Sequence, residues 1–183
     1  PTFVVNPRGE LRGVDWRFNA WGGIYRPFRR DDRVAATVLL RERAARYRAP
    51  FVNEGGAIHV DGQGTVLVTE QCLLNPNRNP DLDRAQIEQY LCAYLGVSKV
   101  VWLPYGHSLD VGPAGTDGHV DGVLQYVAPG RVMLEAVSNP ASPEHDRGVA
   151  NMDVLTSTLD AGGRDLQVEV LDPGPDAAVS YAN

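Results

Sequence analysis

An α/β fold built from repeated units is predicted on three observations. Hairpin-like pairs of short strands begin near residues 3, 58 and 119; each is followed by a helical stretch and then a single strand; and the resulting unit is about 60 residues long. Self-similarity of this kind marks repeat architectures in which like units stack to bury a shared core, and it suggests modules closed around an axis.

The elements follow in order. Pro1 to Asn6 is apolar with high strand propensity, Pro7-Arg8-Gly9 supplies a turn, and Glu10 to Trp16 completes a hairpin. Phe18 to Tyr25 mixes aromatic rings with glycine and suits a loop that lines a site; the competing reading is a packed Ω-loop in which Trp21 fills a core gap. Asp31 or Asp32 caps a helix bearing Val34, Val38 and Leu39, expected to continue to about Tyr47 and to stop at Ala49-Pro50. Phe51-Val52 then delivers Asn53-Glu54-Gly55-Gly56, a carboxylate exposed ahead of two glycines or else an ordinary turn acid.

In the second unit, Ala57 to Val60 and Thr65 to Thr69 flank the turn Asp61-Gly62-Gln63-Gly64. The polar loop Asn75 to Pro80 leads to a helix that starts at Asp81 or Asp83, carries Ile87, Leu91 and Leu95 on one face, and stops at Gly96. Lys99 to Leu103 is a buried strand. The third unit reads as a strand from Val120 to Val127, the turn Pro129-Gly130, a strand from Arg131 to Val137, a helix from Glu144 to Leu159, and a returning strand from Gln167 to Leu171.

The chemistry centres on Thr116 to Asp121. On a strand, His119 and Asp121 would share a face and present an imidazole beside a carboxylate, with Gly118 admitting close approach. That pair suits acid-base work on a cationic ligand; a solvated turn is the plain structural alternative.

Composition narrows the classes. A hydrophobic share of 43% over 183 residues supports a substantial core. No apolar run of about 18 residues and no signal-peptide pattern is present, so a soluble, cytoplasmic protein without membrane contact is expected. Cys72 and Cys92 are too few for a disulfide framework and read as small buried hydrophobes. Residues 1–50 carry 11 Arg against 5 acids, a net +6, whereas residues 51–183 carry 6 Lys and Arg against 18 acids, a net −12. Arg41, Arg43, Arg46 and Arg48 are read as a solvated helix face, and no nucleic-acid partner is expected.

Taken together, Val14 to Gly23, Glu54 to Gly62, Cys72 to Asn79, Thr116 to Asp121 and Asp160 to Arg164 resemble the motifs of the agmatine deiminases and the related bacterial-type peptidylarginine deiminases, of the pentein superfamily. The resemblance extends over nearly the whole chain. It implies an α/β propeller of ββαβ modules, about three of five present, with residues 1–183 forming a partial domain cut at both ends. It implies a small cationic guanidinium substrate, most simply agmatine converted to N-carbamoylputrescine and ammonia, with arginyl peptide as the alternative. His119 would be the acid-base residue, Glu54 its orienting carboxylate, and Asp121 a guanidinium holder, with Trp21 and Asn19 in the substrate site. No cofactor or metal is implied. The family's nucleophilic cysteine lies in a stretch beyond Asn183, and its first guanidinium-binding aspartate lies in a stretch before Pro1. Neither Cys72 nor Cys92 matches the nucleophile. The chain alone is therefore expected to be inactive, and to pair with a missing C-terminal half or to self-associate.

Two other classes compete. A metal-dependent hydrolase could use His59-Val60-Asp61 and His119-Val120-Asp121, although His107 and His145 fall in loops and complete no third motif. A degenerate module that grips guanidinium compounds without turnover is the non-catalytic reading.

Overall fold

The computed structural model describes residues 1–174. The strand-like stretch Ala178 to Asn183 lies outside the described residues. Within them the chain forms three sheets of three strands each, in the orders β1-β2-β3, β4-β5-β6 and β7-β8-β9. In every sheet an antiparallel hairpin is joined by a helix-containing crossover to a third, parallel strand.

The first sheet comprises β1 (Thr2–Val5), β2 (Leu11–Arg17) and β3 (Ala45–Val52). The second comprises β4 (His59–Val60), β5 (Thr65–Thr69) and β6 (Lys99–Leu103). The third comprises β7 (Leu124–Ala128), β8 (Arg131–Glu135) and β9 (Gln167–Leu171). The helices that cross over are Val34–Arg41, Arg84–Leu95 and Pro143–Ser157.

Two cores lie side by side and share β5. All five residues of β5 are buried. Because successive side chains on a strand point to opposite faces, Val66 and Val68 enter the first core with Trp16, Phe51, Ile87 and Leu91. Leu67 enters the second with Leu103, Val120, Leu134 and Leu155. Rings order the first core: Trp16 meets Phe51 edge-on at 5.3 Å between centroids, and Phe51 stacks on Tyr90 at 5.4 Å.

The second-unit helix starts and stops as its sequence implies. Asp83 accepts from the Gln86 N–H while the Gln86 side chain accepts from the Asp83 N–H, and Gly96 closes the helix at φ 71°. Two other expectations are overturned. The first-unit helix ends at Arg41 instead of near Tyr47, and Arg46 and Arg48 lie on β3. The cause is Asp15, which is fully buried on β2 and draws Arg46 Nε to 2.6 Å and Arg48 Nη1 to 2.8 Å. Pro50 is tolerated in β3 because the β2–β3 register shifts between Asp15 and Arg17, so no ladder N–H is required of it.

The strand expected from Val120 begins only at Leu124, and Val120–Gly122 is a 3₁₀ turn. The Val123 N–H turns back to the Val120 carbonyl, and ahead of it the N–H groups of Thr116, Gly118 and His119 are held by the Asp110 carboxylate and join no ladder. Asp117 and Gly118 accordingly take positive φ, 60° and 86°.

Two substitutions separate local from core contributions. Gly96→Ala, which forces a Cβ into the left-handed region, is expected to cost about 1 kcal/mol. Leu134→Ala empties a fully buried site and is expected to cost about 3 kcal/mol. Urea unfolding of the complete gene product that contains these residues measures both.

Candidate active site

The site assembles where the segment after β3 meets the loop after β6. Glu54 leaves β3 in extended conformation, and the turn Gly55–Ala57 runs beneath His119 and Asp121. A Cβ on Gly56 would sit 2.4 Å from His119 Nδ1 and 2.5 Å from Asp121 Oδ2, so only glycine permits this approach. From the other side Asp110 shapes the loop. Its Oδ2 accepts the N–H groups of Gly118 and His119, each at 3.0 Å, together with the Thr116 hydroxyl, and its Oδ1 accepts the Thr116 N–H at 2.7 Å.

His119 is buried between two carboxylates. Its Nε2 lies 3.1 Å from Glu54 Oε2 and its Nδ1 lies 3.9 Å from Asp121 Oδ1. The pair His119 and Asp121 is therefore brought together as the spacing suggested, but by a turn and not by the common face of a strand. Burial pushes the Asp121 carboxyl above the usual range, only partly offset by His119.

Arg78 falls within the polar loop Asn75 to Pro80 and the family-like stretch Cys72 to Asn79 without a role of its own, yet its side chain is wholly buried against Glu54. Its Nε donates to Glu54 Oε1 at 2.8 Å, its Nη1 to Asp117 Oδ2 at 2.8 Å, and its Nη2 to the Thr116 carbonyl at 2.8 Å. Cys72 lies on the single helical turn Glu70–Leu73, which the Thr69 hydroxyl caps, and places its Sγ 3.8 Å from Glu54 Oε2. The one signal in the sequence is the place of Arg78 in the family-like stretch Cys72 to Asn79, since an arginine in a polar loop otherwise reads as solvated.

Asn19 and Trp21 arrive on a strained loop. Ala20, Trp21 and Gly22 all take positive φ, at 61°, 51° and 84°. Asn19 Oδ1 accepts the Gly22 N–H at 2.9 Å and its Nδ2 donates to the Asn77 carbonyl at 2.8 Å, so its amide is engaged within the protein. Trp21 packs edge-on against Phe18 and, with Trp16, Asn53 and Glu54, lines a cavity of about 270 Å³. Asn53 was not singled out in the sequence. It is 2% exposed, and neither its amide nitrogen nor its amide oxygen has a hydrogen-bond partner.

Among the described residues, Glu54, Cys72 and His119 form the one group whose donor atoms could share a metal ion, within 4.8 Å of one another. Their chemistry fits a cation poorly. Arg78 already neutralises Glu54, while burial and the Glu54 carboxylate push the Cys72 thiol well above its usual range. His59 and Asp61 do not join them: among the described residues the group holds no donor atom of either, and Asp61 Oδ1 instead accepts the N–H groups of Gln63 and Thr65 in the hairpin turn. Cys92 is half-buried on the helix Arg84–Leu95 and not fully buried as expected. No helix among the described residues is long and apolar enough to cross a membrane.

A family model described as Porphyromonas-type peptidyl-arginine deiminase matches residues 1–183. The chain belongs to this deiminase family. It is 52% identical over 181 residues to an agmatine deiminase of Pseudomonas fluorescens, covering 96% of this chain and 48% of that relative. An agmatine deiminase of Pseudomonas putida is 53% identical over the same length with the same coverage. The solved structure of the Enterococcus faecalis agmatine deiminase superposes with a TM-score of 0.88 at 47% identity, covering 94% of this chain and 47% of that one. The chain thus spans about half the length of the curated relatives it matches, and the resemblance read from the motifs stands.

Asp110 supplies a pH test of the loop. Burial alone would raise its carboxyl, but the Thr116 hydroxyl and the backbone N–H groups outweigh burial and hold it below the usual range. Its stabilisation is therefore complete above about pH 4, the unfolded carboxylate value, and is lost as pH falls through the lower folded value. Asp110→Asn is expected to be less stable than the parent at neutral pH, with the difference shrinking as pH falls below about 4. Urea midpoints across that range measure it.

Proposed function

We propose that these residues form the acid-base and part of the guanidinium-holding half of an agmatine deiminase, in a propeller of ββαβ modules of which three are present. The observation that carries this reading is the His119 imidazole held between Glu54 and Asp121, with Gly56 pressed against it. The agmatine deiminases among the relatives support agmatine as the substrate over arginyl peptide.

In this reading a thiolate attacks the guanidinium carbon, and His119 protonates the departing ammonia. His119 then removes a proton from the water that releases N-carbamoylputrescine and frees the thiolate. Asp121 pairs with the planar cation, whose N–H groups form charge-assisted bonds to carboxylates. Glu54 fixes the orientation of His119. Trp21 borders the adjoining cavity, and Asn19 acts through the loop that bears Trp21. The nucleophile is supplied from outside these residues. Cys72 stays a thiol, for the reasons given above, and burial together with Glu88 pushes the Cys92 thiol up as well.

Ammonia release by the complete gene product tests the reading: agmatine is expected to be turned over in preference to arginyl peptides, and the reverse preference would reject it. His119→Gln is expected to lower kcat by about 10³-fold with folding intact. Because Asp121 must be ionised to hold the cation, kcat/KM should fall on acidification at a pH above the usual carboxylate range, and Asp121→Asn should flatten that limb while raising KM. A pH series of initial rates on both proteins checks this.

A further inference from the structure

Glu54, the carboxylate set on His119, is itself held by a guanidinium that the proposed reaction does not use. We infer that Arg78 is a positioning residue, which holds Glu54 on His119 and locks the 116–119 loop and the Trp21 loop into one unit. This rests on the deiminase reading above and adds to it a residue with no reactive role.

The geometry is that of a fork. Arg78 donates through Nε to Glu54, through Nη1 to Asp117 and the Asn77 side chain, and through Nη2 to the Thr116 carbonyl. These acceptors come from three separate parts of the chain, and a lysine ammonium, which donates from a single atom, cannot span them. The remaining oxygen of Glu54 is left to His119 and the Cys72 thiol. The second loop is tied in as well. Asn77 Nδ2 donates to Asp117 Oδ2 at 2.7 Å, Asn19 holds the Asn77 carbonyl, and a Cβ on Gly22 would lie 2.6 Å from Arg78 Nη1. The Trp21 loop thus sits directly on the guanidinium.

Arg78 cannot act on substrate itself, because none of its side chain is exposed. Nor does its charge oppose a cationic substrate, since Glu54 and Asp117 offset it at 2.8 Å each. What remains is placement, and small displacements of a catalytic group are costly: about 1 Å of misplacement removes about 100-fold in rate.

The test uses Arg78→Lys, Arg78→Met and Asp117→Asn in the complete gene product, with steady-state kinetics and amide hydrogen exchange. Arg78→Lys and Arg78→Met are expected to lose about 100-fold in kcat with KM within about 3-fold. Exchange should quicken at the Gly118, His119 and Gly22 amides while the β5 amides keep parental protection. A folded Arg78→Met protein with parental kcat would overturn the inference, as would a raised KM with kcat unchanged, which is a binding role. Should both Arg78 variants aggregate, Asp117→Asn decides, because it spares the Arg78–Glu54 pair and frees only the loop. Parental kcat and parental exchange at Gly118 and His119 in that variant would refute the proposal. If the parent protein releases ammonia from neither agmatine nor arginyl peptide, the deiminase reading fails by itself, and the exchange comparison still decides the role of Arg78.

Discussion

A guanidinium sealed from water is the constraint to which the rest of this site answers. Removing a charge from water costs several kcal/mol after relaxation, so a buried arginine persists only where carboxylates and carbonyls meet it with good geometry. Arg78 obtains these from Glu54, Asp117 and Thr116, and their segments cannot drift apart without leaving the charge unpaired. Buried ion pairs in general add little net stability, because desolvation offsets their attraction. Removing one partner from such a pair costs about 3–5 kcal/mol, which is what keeps the three segments together.

Rigid elements carry that arrangement. Strand β5 is buried on both faces and is common to the two cores, so its end cannot shift relative to either. At that end Thr69 caps the turn bearing Cys72 and donates to the Gly118 carbonyl, fixing the floor of the site from the sheet itself. Glu54 directly follows β3, and His119 lies in the loop between β6 and β7, so both side chains are carried by segments that the core strands anchor.

The carboxylates of the site are divided by environment. Asp110 takes hydrogen bonds from N–H and O–H donors and is held low, whereas Asp121 loses hydration and is pushed up. One shapes the loop at all ordinary pH values. The other faces the space beside His119, where a cationic ligand would supply the charge that burial withdraws. Pairs of carboxyl groups separated in this way are a recurring means of giving the same side chain two tasks.

The sequence by itself determined the module order, the second helix with its Asp83 and Gly96 boundaries, the hairpin turns, and the association of His119 with Asp121. These depend on local rules: side-chain periodicity, capping, turn chemistry and short spacing. Only the tertiary structure decided where the first helix stops, because that depends on Asp15, a buried carboxylate on another strand that draws Arg46 and Arg48 to it. Likewise it decided that His119 sits on a turn and not a strand, because Asp110 captures the N–H groups that a ladder would need. The burial of Arg78 and its partners were illegible for the same reason: those partners lie 24 and 39 residues away. An arginine in a polar loop looks solvated until the fold closes over it, since charge burial is a property of the packed chain and not of any stretch of it.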